Sequence, residues 1–375
     1  MSYYGSESML DLKSAGLFLP ELLAQQPLSR ARALAARYFT DPRMPELDAR
    51  AVFAKSWQLV GHNAQLADVG DHFVTDIAGL PIVVIRDIAG ELRAYHNVCR
   101  HRAGPLALCA GKGAKVLRCK YHGWTYGLDG VLKSAPEMAQ AEDFELASIR
   151  LPELRLELWQ GLIFVGAEQA PVFGEFSAGW DTQLRTLSPK NYVFHRRVSY
   201  DVACNWKVYC DNYLEGYHVP HIHPGLNSLL DYRLYVTETG DWFSYQYSPL
   251  QSDADLYGSG DALYYFIYPN TMLNLLPGRL QSNRILPIDA NHCRVEYDYF
   301  YSDEPASDAV NARRAADQAF SDEVQQEDIG ICEHVQRGLA SGSYEAGRLN
   351  PMRENAVHHF HELLRRAYRD VENGA

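Results

Sequence analysis

The sequence predicts an α+β protein: a small antiparallel β domain followed by a larger domain in which an antiparallel sheet is covered by helices. Three patterns carry that expectation. Short β-branched and aromatic runs begin at Trp57 and are punctuated by Gly70, Gly79 and Gly90. Residues 232–300 alternate as a long antiparallel meander, and residues 303–340 and 355–368 return to helical spacing. At 375 residues the chain is long enough for two domains. The small one is expected over 56–166 and the larger over 167–375, with residues 1–55 as the helical N-terminal part of the larger one.

Along the chain, a loosely ordered tail passes into a helix beginning at Glu46, after a turn bracketed by Pro42 and Pro45. Leu47, Val52 and Phe53 recur there at helical spacing. The strands of the small domain follow, among them the apolar run Leu80 to Arg86 and, after a turn at Gly127 to Gly130, the runs Leu154 to Trp159 and Gly161 to Gly166. Asn205 to Tyr217 reads as a helix, and Asn355 to Tyr368 as a terminal amphipathic one.

Composition narrows the function. Hydrophobic content of 47% and charged content of 22% are ordinary for a globular protein. A net charge of −12 excludes the basic stripe that nucleic acid requires and leaves room for a redox partner. No stretch reaches the roughly 20 apolar residues of a membrane span, and the first residues lack the basic region of a signal peptide. The seven cysteines are an odd number, which fits free thiols in a reducing cytoplasm better than a disulfide framework.

Two short pairs of soft ligands stand out, Cys99 with His101 and Cys119 with His122. Each pair suits a tight loop at a hairpin tip, so two facing loops would gather two thiolates and two imidazoles. A structural zinc ion accepts that set. So does a Rieske [2Fe–2S] centre, in which two His replace two Cys on one iron. Zinc sites repeat like with like, whereas each loop here offers one ligand of each kind, so that each iron would receive a like pair. Gly104 and Gly123 are expected to let the backbone approach bridging sulfides.

A second cluster lies in 211–223. Asp211, Glu215 and His218 fall at helical i, i+4 and i+7 positions and would share a face. A mononuclear non-haem iron site takes two His and one carboxylate and leaves positions open for O₂. His218 and His223 would supply the nitrogens, with Pro220 breaking the helix so that the second imidazole swings back. The other reading is a polar surface helix with a His-rich cap.

These residues resemble the motifs of the Rieske non-haem iron oxygenases, the ring-hydroxylating alpha-subunit family. The likeness covers Cys99, His101, Cys119 and His122, then Asn205, Trp206 and Lys207, Asp211 and Asn212, Glu215, His218 and His223, and the stretch Gln326 to Leu339. It implies that Asp328 is the third iron ligand, with Glu327 the weaker choice, and that His221 contacts the substrate or a ligand. It implies Glu215, beside Asp211, as a catalytic carboxylate that bridges the iron of one subunit to the cluster of the next in a head-to-tail homotrimer. A glutamate where the family often has aspartate lengthens that arm.

The resemblance further implies a terminal oxygenase component that takes electrons from NAD(P)H through a separate flavin or iron–sulfur reductase. The compact length and the tail from Ser341 to Pro351 look like the choline, betaine and carnitine monooxygenase branch. Hydroxylation, with N-demethylation or cleavage as an outcome, of a small N-methylated or quaternary ammonium compound is therefore expected, with mono- or dioxygenation of an aromatic ring as the alternative. An electron carrier without oxygen chemistry is the remote one, since nothing in such carriers matches Glu215, His218, His223 and Asp328. The substrate pocket is expected in the meander, from Tyr235, Trp242, Tyr245, Tyr247, Tyr257, Tyr264, Tyr265, Phe266 and Tyr268.

Overall fold

The structure, a computed structural model, describes residues 16–77, 79–184, 192–251, 256–302, 304–305 and 307–372. The tail expected at the N-terminus lies, over residues 1–15, outside them. Two compact units are present, Phe53–Phe173 and a larger one made of Met1–Val52 with Gly174–Ala375.

The smaller unit holds strands β1 (Trp57–His62), β2 (His72–Ile77), β3 (Leu80–Arg86), β4 (Leu92–His96), β5 (Leu117–Arg118), β6 (Thr125–Tyr126), β7 (Leu132–Ser134), β8 (Glu153–Trp159) and β9 (Leu162–Gly166). They form an antiparallel sheet of order β1-β9-β8-β4-β3-β2 and a small sheet β5-β6-β7. The run Ile82 to Ile85 is fully buried because the pleat divides it between two cores. Ile82 and Val84 pack with Val60, Ile163 and Val165. Val83 and Ile85 pack with Cys99, Leu117, Cys119, Trp124 and Tyr126. The second core is thus also the floor beneath the two ligand loops.

In the larger unit, strands β10 (Tyr192–Val202), β11 (Val236–Thr239), β12 (Phe243–Pro249), β13 (Asp261–Ile267), β14 (Thr271–Leu276), β15 (Arg279–Pro287) and β16 (Cys293–Ser302) form one antiparallel sheet. Its order is β10-β16-β15-β14-β13-β12-β11. The meander expectation covers β11 to β16. Strand β10 escaped it, because this edge strand carries Arg196, Arg197 and Asp201 and most of its residues are at least partly exposed, leaving little apolar alternation to read.

The helices that matter are α1 (Met44–Ala51), α2 (Trp206–Tyr213), α3 (Val219–Ile222), α4 (Pro224–Leu229), α5 (Asp308–Ala340) and α6 (Asn355–Glu372). Helix α1 starts two residues before the expected Glu46, with Pro45 in its first turn, where a missing N–H costs nothing. Pro45 therefore opens the helix instead of closing the turn before it. Helix α5 starts at Asp308, with Ser307 capping the Val310 N–H.

The buried face of α5 is mostly polar: Asp317, Ser321, Gln325, Cys332 and Gln336. Three tyrosines of β16 meet it. Tyr301 hydroxyl donates to Asp317 (2.5 Å), Tyr299 to Ser321 (3.1 Å), and Tyr297 to Gln325. Two residues of strand span about 6.6 Å and four of helix about 6.0 Å, so the two repeats run nearly in step. Asp328 follows one turn further along α5.

Helices α1, α2 and α6 meet at one buried carboxylate. Asp48 accepts from Trp206 Nε1 (2.7 Å), from the Tyr368 hydroxyl (2.7 Å) and from the fully buried ammonium of Lys207. Desolvation pulls the Lys207 ammonium below its usual range, and Asp48 opposes that. Asp48→Asn leaves Lys207 buried without a counter-charge and is expected to destabilise the protein by about 3–5 kcal/mol. Urea unfolding measures this, and an unchanged midpoint would remove Asp48 from that role.

Candidate functional site

In the smaller unit the two ligand loops are closed by backbone hydrogen bonds. Cys99 N–H donates to Gly104 O (2.8 Å) and Ala103 N–H to Cys99 O (3.0 Å). In the second loop Cys119 N–H donates to Trp124 O (2.8 Å) and Gly123 N–H to Cys119 O (3.1 Å). The buried Asn97 amide braces the first loop, accepting from Leu106 and Ala107 N–H and donating to Ala107 O. The two glycines serve different ends. A Cβ on Gly104 would lie 2.9 Å from Cys119 Sγ, whereas Gly123 is required by its φ of +75°.

Like ligands pair across the loops. Cys99 and Cys119 are buried and close enough to interact, and Tyr126 hydroxyl lies 3.3 Å from Cys99 Sγ. Burial pushes the Cys99 thiol up. The rings of His101 and His122 are 4.6 Å apart, His101 is exposed at the tip, and it stacks on Trp124 at 4.8 Å. Buried sulfurs on one side and imidazoles at the rim on the other match the donor set of a Rieske cluster, with one iron for each like pair. The residues fit that group.

In the larger unit α2 ends at Tyr213, with Leu214 as its cap. Glu215 and His218 therefore lie beyond the helix and do not share a helical face with Asp211. A Cβ on Gly216 would collide with the Tyr235 ring at 2.6 Å, so the chain turns there against an aromatic wall. Pro220 sits in the first turn of α3, where proline is tolerated. The break that turns His223 inward lies instead between α3 and α4, where His223 precedes Pro224 and leaves helical geometry (φ −117°, ψ 78°).

His218, His223 and Asp328 each offer a ligand atom, all within 4.8 Å of one another. His223 Nε2 is 3.0 Å and His218 Nε2 3.8 Å from Asp328 Oδ1. Each ring is held at its other nitrogen by a glutamate: His218 Nδ1 is 2.7 Å from Glu215 Oε1, and His223 Nδ1 is 2.7 Å from Glu327 Oε2. A carboxylate at Nδ1 fixes the proton there and turns the Nε2 lone pair toward a metal. Asn212 Nδ2 donates to Asp328 Oδ1 at 2.6 Å. Burial alone would depress His223, but hydrogen bonds and charge from Asp328 and Glu327 outweigh it and hold the imidazole above its usual range. Two imidazoles and one carboxylate with free directions fit a mononuclear iron.

Two expectations change in detail. Asp211 turns to α6, where His361 Nε2 meets its carboxylate at 2.9 and 3.0 Å, while His361 Nδ1 accepts from Leu34 N–H. His221 is exposed and does not line the cavity above the triad. Glu327, the weaker candidate ligand, holds His223 instead; its place one residue before Asp328 was the available signal.

That cavity is walled by Tyr209, Tyr213, Tyr235, Tyr257, Tyr264, Tyr297 and Phe320, with Glu215, His218, His223 and Asp328 at its floor. Of the nine meander aromatics expected there, Tyr235, Tyr257 and Tyr264 line it. Strand alternation sends Tyr265 to the other face, where it stacks on Phe243 and Tyr245. Phe266 and Tyr268 pack on Phe360 of α6. Arg279, the cation among the lining residues, is paired with Asp317 at 3.1 Å.

Comparison with known proteins identifies both domains. Residues 56–150 match the Rieske [2Fe-2S] domain and residues 189–370 the ring hydroxylating alpha subunit catalytic domain. The chloroplastic choline monooxygenase of Arabidopsis thaliana is 38% identical over 359 residues, covering 90% of this chain and 83% of that protein. The carnitine monooxygenase oxygenase subunit of Escherichia coli (strain K12) is 30% identical over 374 residues, covering 95% and 99%. The crystal structure of the quaternary ammonium Rieske monooxygenase CntA with L-carnitine superposes with a TM-score of 0.81 at 27% identity, covering 92% of this chain and 99% of that one. Naphthalene 1,2-dioxygenase from Rhodococcus sp., at 16% identity and a TM-score of 0.75 over 97% of both chains, shares the fold. With both motifs, both domains and near full-length relatives in agreement, the chain belongs to the Rieske non-haem iron oxygenases, as an oxygenase subunit of the ring-hydroxylating alpha-subunit family.

Proposed function

We propose that this oxygenase hydroxylates a C–H bond of a small quaternary ammonium compound; attack on an N-methyl group would release formaldehyde, and attack on another carbon beside nitrogen would cleave that C–N bond. The observation that carries the reading is the cavity: a wall of tyrosines above two imidazoles and two carboxylates, with Arg279, the one arginine among the described lining residues, already neutralised by Asp317. A cation is held over aromatic faces by about 0.5–2 kcal/mol per contact. Names of the relatives point the same way, since they act on choline and carnitine.

His218, His223 and Asp328 would hold the iron, and Cys99, His101, Cys119 and His122 the cluster. When bound, the cluster relays single electrons and the iron uses them to activate O₂. The chain's own groups do the rest. Glu215 and Glu327 keep each Nδ1 protonated and each Nε2 facing Asp328, and Asn212 holds that carboxylate in place. Tyr213, Tyr235 and Tyr264 position the ammonium and keep water from the reacting carbon. Asp211 acts through His361 as a positioning residue for α2.

Glu215 also supports assembly. Its side chain is partly exposed and holds His218, so it can meet an imidazole of the cluster in a second copy, in a closed head-to-tail ring of three. A flavin or iron–sulfur reductase using NAD(P)H supplies the electrons. All seven cysteines are free, which supports a reducing compartment such as the cytoplasm, and among the described residues no helix is long and apolar enough to cross a membrane.

Glu215→Gln should keep cluster absorption and iron yet lower turnover about 10–100-fold; a normal rate would exclude the bridging role. The substrate is tested by O₂ consumption coupled to product formation with choline, carnitine and betaines against aromatic acids. Quaternary ammonium compounds should turn over to a hydroxylated or C–N-cleaved product, and Tyr264→Leu should raise their KM roughly 2–30-fold. Turnover of aromatic acids alone would overturn the proposal.

A further inference from the structure

Three cysteines outside both metal centres meet in the core of the larger unit. Cys204, Cys293 and Cys332 are at most 1% exposed. They come from the turn before α2, the first residue of β16, and α5. Cys204 Sγ lies 3.9 Å from Cys293 Sγ, and Cys332 lies close enough to interact with the same sulfur. None is in a disulfide.

A sulfur between two thiols differs from a cysteine that merely fills space. Interactions with Cys293 and Cys332 hold the Cys204 thiol below the usual range in spite of burial. The same interactions, with burial, push Cys293 and Cys332 up. Neighbouring thiols of which one ionises more readily than the others are the components of peroxide reduction, since the thiolate is the nucleophile.

The position gives this chemistry a target. Cys332 lies four residues beyond Asp328 on α5, one turn or about 6 Å along the axis. Cys204 immediately precedes Asn205, the cap of α2, and α2 carries the Asn212 that holds Asp328.

We propose that Cys204, Cys293 and Cys332 form a peroxide-sensitive thiol switch, in which Cys204 is oxidised and captured by one neighbour, displacing Asp328 from the two imidazoles. The oxidant is hydrogen peroxide, the product of reducing O₂ by two electrons when the substrate is missed. The Cys204 thiolate attacks one peroxide oxygen and the O–O bond breaks. Hydroxide leaves and takes up a proton to become water. The neighbouring thiol sulfur then attacks the sulfenic acid, the S–O bond breaks, and a second water departs. Two thiols and one peroxide give one disulfide and two waters. Sulfurs now 3.9 Å apart must close to about 2 Å, which drags the start of α2 or a turn of α5.

The test exposes the purified holoenzyme to hydrogen peroxide, blocks remaining thiols and digests with trypsin. The expected product joins the peptide of residues 198–207 to that of 285–294 or 315–337. Loss of iron in the larger unit should accompany it and be regained with ferrous ion after thiol reduction. Cys204→Ala should keep its iron at the same peroxide dose. If it lost iron as fast as the native protein, or if the native protein inactivated with all three thiols still free, the switch would be overturned. Should Cys204→Ala fail to fold, the linked peptide in the native protein decides alone.

Discussion

The larger unit depends on one near-coincidence of repeats, between a strand and a helix lying on it. Tyr297, Tyr299 and Tyr301 point to the same side of β16 at about 6.6 Å intervals, and Gln325, Ser321 and Asp317 follow at about 6.0 Å along α5. Hydrogen bonds between the two rows fix both the rotation and the register of the helix. Asp328 is thereby delivered to His223, and a slip of one residue would turn it about 100° away. Polar groups buried this way are worth their desolvation only when each finds a partner, which lets the ladder specify position as well as contribute stability.

The same logic governs the two imidazoles. Neither His218 nor His223 sits in a regular helix; the chain is turned at Gly216 and again at Pro224, and a glutamate then locks each ring. The smaller unit solves a similar problem with backbone hydrogen bonds. Its two loops close on themselves, sink their thiols into the core beneath, and leave their imidazoles at the rim. In both units the residues that would bind metal rest on groups that hold them in place.

Legibility of these features in the sequence followed their range. The pairs Cys99 with His101 and Cys119 with His122 were readable because a short loop carries both members, and the strands beneath were readable from apolar alternation. Edge strand β10 was not, since most of its residues meet solvent. The buried face of α5 was hidden for the opposite reason: its residues are polar, so no apolar stripe marks it. Asp328 could be reached only through family resemblance, and the partnership of Glu327 with His223 spans 104 positions that no local pattern connects. Asp211, placed by helical spacing beside His218, belongs with His361 because α2 stops sooner than the spacing suggested.

That one polypeptide holds iron in two separate ways, as a cluster in one unit and singly in the other, is most directly tested by counting iron and acid-labile sulfide. The native protein should contain about three irons and about two sulfides per chain. Asp328→Ala should contain about two of each, with its cluster absorption unchanged. Two irons in the native protein, or three retained in the variant, would contradict the assignment of Asp328 with His218 and His223.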